Sequence, residues 1–290
     1  MRYIMQKCPR RKLLLGIALL VISFVLVFIG VGFFLNSDHE ITRLLATEYC
    51  QSGFTYIELK RNGGEICITS VTDLSKAQKI PSKIHDMPVT EIAEDAFENC
   101  TSLESIEFPD SLAEIGASAF ENCSNLKSIE FPDNLTKIGA SAFESCSNLK
   151  SIEFPDCVME IGERAFALCN SLEQIKIPSN ITEINSGLFF FCSSLEKVSL
   201  PDHIKKIRDY AFYGCIGLNE VKIIDSVTEI DNYAFYGCTC LSFKEIPDSV
   251  RRIGEMAFDE CMELDSVVIS SKTKCAKNAF PEWTKITIIN

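Results

Sequence analysis

Apolar residues return along most of the chain at fixed offsets inside a 23-residue frame. The frame reads L-x-x-I-x-[FI]-P-x-x-[LVI]-x-x-I-G-x-x-A-F-x-x-C. One copy consists of Leu126, Ile129, Phe131, Pro132, Leu135, Ile138, Gly139, Ala142, Phe143 and Cys146. Around Ile129 and Phe131 apolar and polar positions alternate, which is the period of a short strand. Pro132 ends it, because proline has no N–H to give to a ladder. Leu135 and Ile138 belong to a second extended piece, and Gly139 marks a turn where a side chain would be awkward. The Ala-Ser-Ala-Phe-Glu-Ser-Cys stretch is predicted to make about one or two helical turns.

Phenylalanine recurs at Phe97, Phe120, Phe143, Phe166, Phe189, Phe212, Phe235, Phe258 and Phe280, with steps of 23 residues seven times and then 22. Cysteine follows three residues later at Cys100, Cys123, Cys146, Cys169, Cys192, Cys215, Cys238 and Cys261, and Trp283 takes its place in the ninth unit. Residues 105–127 and 128–150 agree at 19 of 23 positions, the mark of recent internal duplication. A unit of this size cannot bury its apolar side alone, whereas stacked neighbours can. The prediction is therefore an α/β, β-rich solenoid with one or two short strands and a short helical turn per repeat. At ~4.8 Å per coil its body is roughly 40 Å long.

A different pattern precedes the repeats. Leu13 to Leu35 is 23 residues without a charge, and as a helix it would reach roughly 35 Å, enough to cross a hydrocarbon layer. Arg2, Lys7, Arg10, Arg11 and Lys12 all lie before it, and Asp38 and Glu40 follow. That bias predicts a cytoplasmic tail (1–12), a single transmembrane helix (13–35) and an extracytoplasmic remainder. A cleaved signal peptide is the competing reading, but its apolar region is shorter and ends at small residues, unlike Gly32-Phe33-Phe34-Leu35. Residues 36–53 are expected to form a stalk. Residues 54–90, with two alternating runs around Asn62-Gly63-Gly64, are expected to form a cap with a β-hairpin. Residues 91–290 hold the nine repeats, closed by Trp283 and the strand-like Ile286 to Ile289.

Composition narrows the chemistry. The chain carries a net charge of −12; residues 1–35 hold five of its 28 cations and no acid, so the remainder stands at −17. Such a surface argues against a nucleic-acid partner recruited through phosphates. Each of the eight ladder cysteines lies between core-facing positions, where a thiol serves as a small hydrophobe. An evenly spaced single row also lacks the paired C-x-x-C spacing of a metal site. Of the off-ladder cysteines, Cys50 and Cys67 are positioned to tie stalk to cap. His39, His85 and His203 fall in no nucleophile, zinc or phosphate motif. No enzyme activity, metal or cofactor is expected.

A phenylalanine and a cysteine every 23 residues, with Ile-Pro or Phe-Pro at the strand end, resembles the BspA-like class of leucine-rich repeats over about residues 54–290. The resemblance implies a binding module of the kind found on microbial surfaces, with host matrix or neighbouring cells as protein partners. It does not name the ligand.

Recognition is expected on the outward strand positions. Two places before each repeat proline, or before Ile224 where it replaces one, stand Glu107, Glu130, Glu153, Lys176, Ser199, Lys222 and Glu245, with Val268 in the last unit. The neighbouring column reads Ser105, Ser128, Ser151, Gln174, Lys197, Glu220, Phe243 and Ser266. Three glutamates in register suit a basic partner, although simple copying of a young repeat also explains them. Phe243 in a polar column reads either as an interface anchor or as the sign of a locally shifted repeat, since Lys244 takes the usual isoleucine position. The resulting expectation is a membrane-anchored surface protein for recognition or adhesion, with a structural spacer as the alternative.

Overall fold

The computed structural model describes residues 49–51, 53–59, 64–73 and 78–290. The stretches expected as tail, transmembrane helix and most of the stalk lie outside them, as does the Asn62-Gly63 part of the hairpin turn. Among the described residues no helix is long and apolar enough to cross a membrane.

Each coil of the solenoid contributes two extended pieces. The first pieces stack in parallel as a front sheet of Ser105–Glu107, Ser128–Glu130, Ser151–Glu153, Gln174–Lys176, Lys197–Ser199 and Glu220–Val221. Equivalent residues pair in register, Ile106 with Ile129 and Ile129 with Ile152. The central residue of the three-residue strands is buried and both flanking residues are exposed. The second pieces form a rear row of two-residue strands, Glu114–Ile115, Lys137–Ile138 and Glu160–Ile161, then Glu183–Ile184, Lys206–Ile207, Glu229–Ile230, Arg252–Ile253 and Lys274–Cys275. This row divides between Ile161 and Glu183, where Asn185 takes over the position held by Gly116, Gly139 and Gly162.

The nine phenylalanines of the ladder lie between the two rows, with neighbouring ring centroids 4.7 to 6.2 Å apart. A second, shorter row of Phe108, Phe131 and Phe154 packs edge-on against Phe120, Phe143 and Phe166 at 5.6 to 5.7 Å.

The expected helical turn does not form; among the described residues the solenoid is built of strands and turns alone. The reason is visible in the hydrogen bonds. A helix sends every N–H four residues back. Here Ser118, Phe120 and Asn122 instead donate to the carbonyls of Ala140, Ala142 and Glu144 in the next coil, at 2.8, 2.7 and 2.8 Å. Glu121 and Cys123, which alternate with them, donate only three residues back, to Ser118 and Phe120. Two residues per turn, such as Ser118 (φ 48°) and Asn122 (φ 63°), adopt the left-handed conformation that interrupts a helix.

The glycine column also plays a different part from the expected turn. A Cβ on Gly139 would lie 2.5 Å from Ala117 N and 2.5 Å from the Gly116 carbonyl carbon, so glycine is there to let adjacent coils approach.

At the N-terminal end Phe54–Leu59 and Glu65–Val71 pair antiparallel, and Tyr49–Gln51, within the stretch expected as stalk, adds to their outer edge. Glu65–Val71 runs parallel to Met87–Ile92, which pairs with Glu114–Ile115. These strands continue the rear row and cover the edge that the first coil would otherwise expose. Within them Cys50 faces Thr55 and Cys67 faces Ile57. At the other end Ser266–Ser270 pairs in parallel with Lys285–Ile289, leaving Trp283, Ile286, Ile288 and Ile289 exposed.

Candidate functional site

The pleat of the front sheet sends positions such as Ile129 inward and their two neighbours outward, so the fold itself produces two exposed columns. Glu107, Glu130, Glu153 and Lys176 stand in one column of this face, Lys197 stands in the neighbouring column in register with Gln174, and Lys222 and Glu245 are exposed in the frame of the first. The face changes sign along its length, from Glu107, Glu130 and Glu153 to Lys176, Lys197 and Lys222. Its ends are partly neutralised by Lys79–Glu107 and Lys197–Glu220, each at 2.7 Å. Beside it, Lys127 donates to Glu104 at 2.7 Å and holds that carboxyl below its ordinary range. Both partners are well exposed, so the pair adds little stability. Among the described residues no ion pair engages Glu130, Glu153 or Lys176.

Where the sign changes, the surface dips. The row of rings Phe108, Phe131 and Phe154 stops, and the smaller Ile177 and Leu200 continue it. Their lesser bulk leaves an open depression of about 500 Å³ with Phe154, Ile177, Leu200, Pro178 and Pro201 at its base. Glu153, Asp156, Gln174, Lys176 and Lys197 line it as well. An apolar floor bordered by charges of both signs is the composition of a protein-binding patch.

Phe243 does not stand with the outward column. It is half-buried, with its ring packed edge-on against Phe258 at 5.3 Å, while Lys244 is exposed. A lysine cannot fill the apolar inward position, so the neighbouring phenylalanine turns in. Regular pairing lapses here, and only a bridge from Glu245 to Val268 remains.

The cysteine ladder proves to be a set of hydrogen bonds. Each thiol from Cys123 to Cys261 donates to the phenylalanine carbonyl 26 residues earlier, at 3.1 to 3.3 Å. Burial pushes the thiols of Cys123, Cys192 and Cys261 up to about 12, far from the thiolate form that nucleophilic or metal chemistry requires. Cys100, at the head of the ladder, is only half-buried.

Sequence reasoning passed over one surface feature. Phe190, Tyr213 and Tyr236 stack at 5.1 and 4.9 Å along the turn edge, with Tyr210 and Tyr233 stacked beside them at 5.1 Å. The signal was available: these aromatics recur at the repeat spacing in columns where earlier coils hold Ser118 and Ser141, or Glu121 and Glu144.

Comparison with known proteins agrees with this architecture. The family model described as BspA type leucine rich repeat region matches residues 90–216 and 182–290, in six copies. No curated protein matches the chain. Among solved structures, a leucine rich cell surface protein from Faecalibacterium prausnitzii A2-165 is similar at 29% identity and a TM-score of 0.67, covering 84% of this chain and 76% of its own. A leucine rich repeat protein from T. pallidum is 30% identical with a TM-score of 0.60, covering 75% of this chain and 90% of its own. A leucine-rich repeat protein from Eubacterium ventriosum, 22% identical with a TM-score of 0.52, shares the fold. With its phenylalanine and cysteine ladders and its two parallel strand rows, the chain belongs to the BspA-type leucine-rich repeat family.

Proposed function

We propose that this is a non-catalytic recognition protein, anchored in the cell membrane by residues 13–35 and displaying its solenoid outside, where the front sheet binds another protein. One observation carries the reading. The exposed face of the front sheet carries an apolar depression bordered by Glu153, Lys176 and Lys197. The inward positions stay apolar as Ile106, Ile129, Ile152, Ile175, Val198 and Val221, while the outward ones, constant as Ser and Glu over the first three coils, change to Gln174 and Lys176, Lys197 and Ser199, then Glu220 and Lys222. The fold requires only the former. The similar F. prausnitzii structure, described as a cell surface protein, supports display at the surface.

Display is tested by protease shaving of intact cells carrying an epitope at each terminus. The expected result is loss of the C-terminal epitope with a membrane stub retained; a protected C-terminus beside a cleaved surface control overturns the topology. Recognition is tested with cells displaying either the native chain or a Glu153→Ala/Lys176→Ala/Lys197→Ala variant, layered on immobilised matrix proteins and on other cells. Adhesion that falls at least tenfold in the variant is expected, each truncated hot-spot side chain being worth roughly 1 kcal/mol or more. Adhesion unchanged by the substitutions overturns the assignment to the front sheet, and no adhesion by the native chain where a control adheres favours the spacer role.

A further inference from the structure

Two gradients run along the front sheet and change at the same place. Glu107, Glu130 and Glu153 give way to Lys176, Lys197 and Lys222 between the third and fourth strands. At the strand ends, half-buried Phe108, Phe131 and Phe154 give way to the smaller Ile177, Leu200 and Ile223 at the same boundary. The acidic half therefore carries the bulk, and the basic half carries most of the depression. Duplication explains the repeated glutamates. It does not explain the lysines, which stand where copying would have left Glu or Ser.

Both gradients are self-complementary under one operation. A twofold axis along the strand direction, lying over that boundary, turns a second copy face to face with its solenoid axis reversed. Each column then meets itself in reverse order. Glu153 faces Lys176 of the second copy, Glu107 faces Lys222, and Glu130 faces Ser199 with Lys197 beside it. Phe154 meets Ile177 and Phe131 meets Leu200, so the raised rings fall on the recessed half. Parallel solenoids would instead set Glu on Glu and Lys on Lys, which is unfavourable at every contact. Within one chain the three glutamates already repel one another at ~4.8 Å per coil. Of the six charges, only Glu107 and Lys197 hold ion pairs among the described residues, with Lys79 and Glu220. Those pairs are well exposed and exchange readily.

We propose that the front sheet binds a second copy of this chain, face to face and antiparallel, across two apposed membranes. This pairing rests on the reading of the sheet as the recognition face and of residues 13–35 as the anchor, and it names the partner. Antiparallel solenoids put their N-terminal caps, and hence their anchors, at opposite ends of the pair, as molecules on facing cells require. Six strands at ~4.8 Å make a face only about 30 Å long, so a single contact is weak and many copies act together.

The test is clustering of phosphatidylcholine vesicles carrying the full chain, labelled in two colours, with empty vesicles as reference. Glu107→Lys/Glu130→Lys/Glu153→Lys reverses the acidic half, and Lys176→Glu/Lys197→Glu/Lys222→Glu reverses the basic half. Native vesicles should cluster, and clustering should fall at least about tenfold within either variant alone, where like charges meet. Mixing the two variants should restore it, because each again finds opposite charge. The chain beyond residue 35 stands at −17 and each variant shifts it by six charges, so both stay negative and attraction in the mixture is local to the face. Circular dichroism monitors folding; if a triple variant misfolds, Glu153→Lys and Lys176→Glu decide in the same way. Native vesicles no more clustered than empty ones, undiminished clustering within either variant, or no recovery on mixing folded variants overturns the pairing. Native vesicles that stay apart while cells adhere to matrix protein through Glu153, Lys176 and Lys197 overturn the second copy and leave the front-sheet reading in place.

Discussion

The thiol of Cys146 donates to the carbonyl of Phe120 across one coil, at 3.3 Å. That same oxygen accepts the main-chain N–H of Cys123 at 3.2 Å, so both of its lone pairs are used. Cysteine here fills apolar space and completes the bonding of a buried carbonyl in one small side chain. Cys146→Ala removes the thiol without relieving the carbonyl's other bond, and should lower stability by ~1–2 kcal/mol, read as a shift of the urea midpoint.

Raising the pH should weaken the fold through the same thiols. An unfolded cysteine ionises near its ordinary value of 9, while Cys123, Cys192 and Cys261 are held protonated up to about 12 in the folded chain. Folded stability is thus undiminished below about pH 9 and declines between there and about 12. The loss is about 1.4 kcal/mol per pH unit for each thiol. Urea midpoints at pH 8 and pH 10.5 check this; equal midpoints contradict it.

Alkylation should separate the thiols by position. Cys240 and Cys275 are exposed, whereas Cys123, Cys146, Cys169, Cys192, Cys215, Cys238 and Cys261 are buried. Brief iodoacetamide treatment at pH 8 followed by peptide mass spectrometry should find Cys240 and Cys275 modified and these seven unmodified until denaturant is added.

Gly139→Ala should be among the more damaging single-methyl substitutions in the chain. The new methyl meets backbone atoms of the preceding coil, which cannot swing aside. A loss of ~3 kcal/mol is expected by thermal unfolding. Gly237→Ala is the comparison for steric crowding, since its nearest neighbours stand 3.8 Å away. Its left-handed backbone should limit the loss to ~1 kcal/mol.

Later coils replace that glycine by Asn185, Arg208 and Asp231 and convert close approach into an ion-pair network. Buried Asp231 pairs with Arg252 and with Arg208 at 3.7 Å, while Arg208 also holds Glu183 at 2.6 Å. Asp231→Ala leaves two arginines without this carboxylate and should cost ~2 kcal/mol by urea unfolding. Hydrogen bonding to Arg252 keeps the Glu229 carboxyl below its ordinary value near 4.5. Its contribution is therefore present at neutral pH and lost as the pH falls below about 4.5. Thermal midpoints at pH 6 and pH 3.5 should differ less in Glu229→Gln than in the native chain.

The repeat frame carried much of this architecture in plain sight. A period of 23 with Ile129 inward and Ser128 and Glu130 outward is enough to specify stacked coils, because only neighbouring copies can bury so narrow an apolar stripe. The same reading placed the phenylalanine and cysteine ladders. A helical turn is expected around Phe143 because the segment is long enough for one, but the hydrogen bonds that decide the matter come from the next coil. Long-range pairing leaves no trace in a seven-residue window.

Three features depended on the tertiary structure. The carbonyls that receive the thiols lie 26 residues away in sequence and one coil away in space. The role of Gly139 is set by backbone on the preceding coil, so its close approach to Ala117 cannot be read from Gly139 and its sequence neighbours. The stack of Tyr210 on Tyr233 joins residues 23 apart in sequence in a column that forms only when coils stack. The sequence by itself determined the period, the inward residues and the family. Stacking decided which partners those residues meet, because every decisive contact runs along the solenoid axis, perpendicular to the chain.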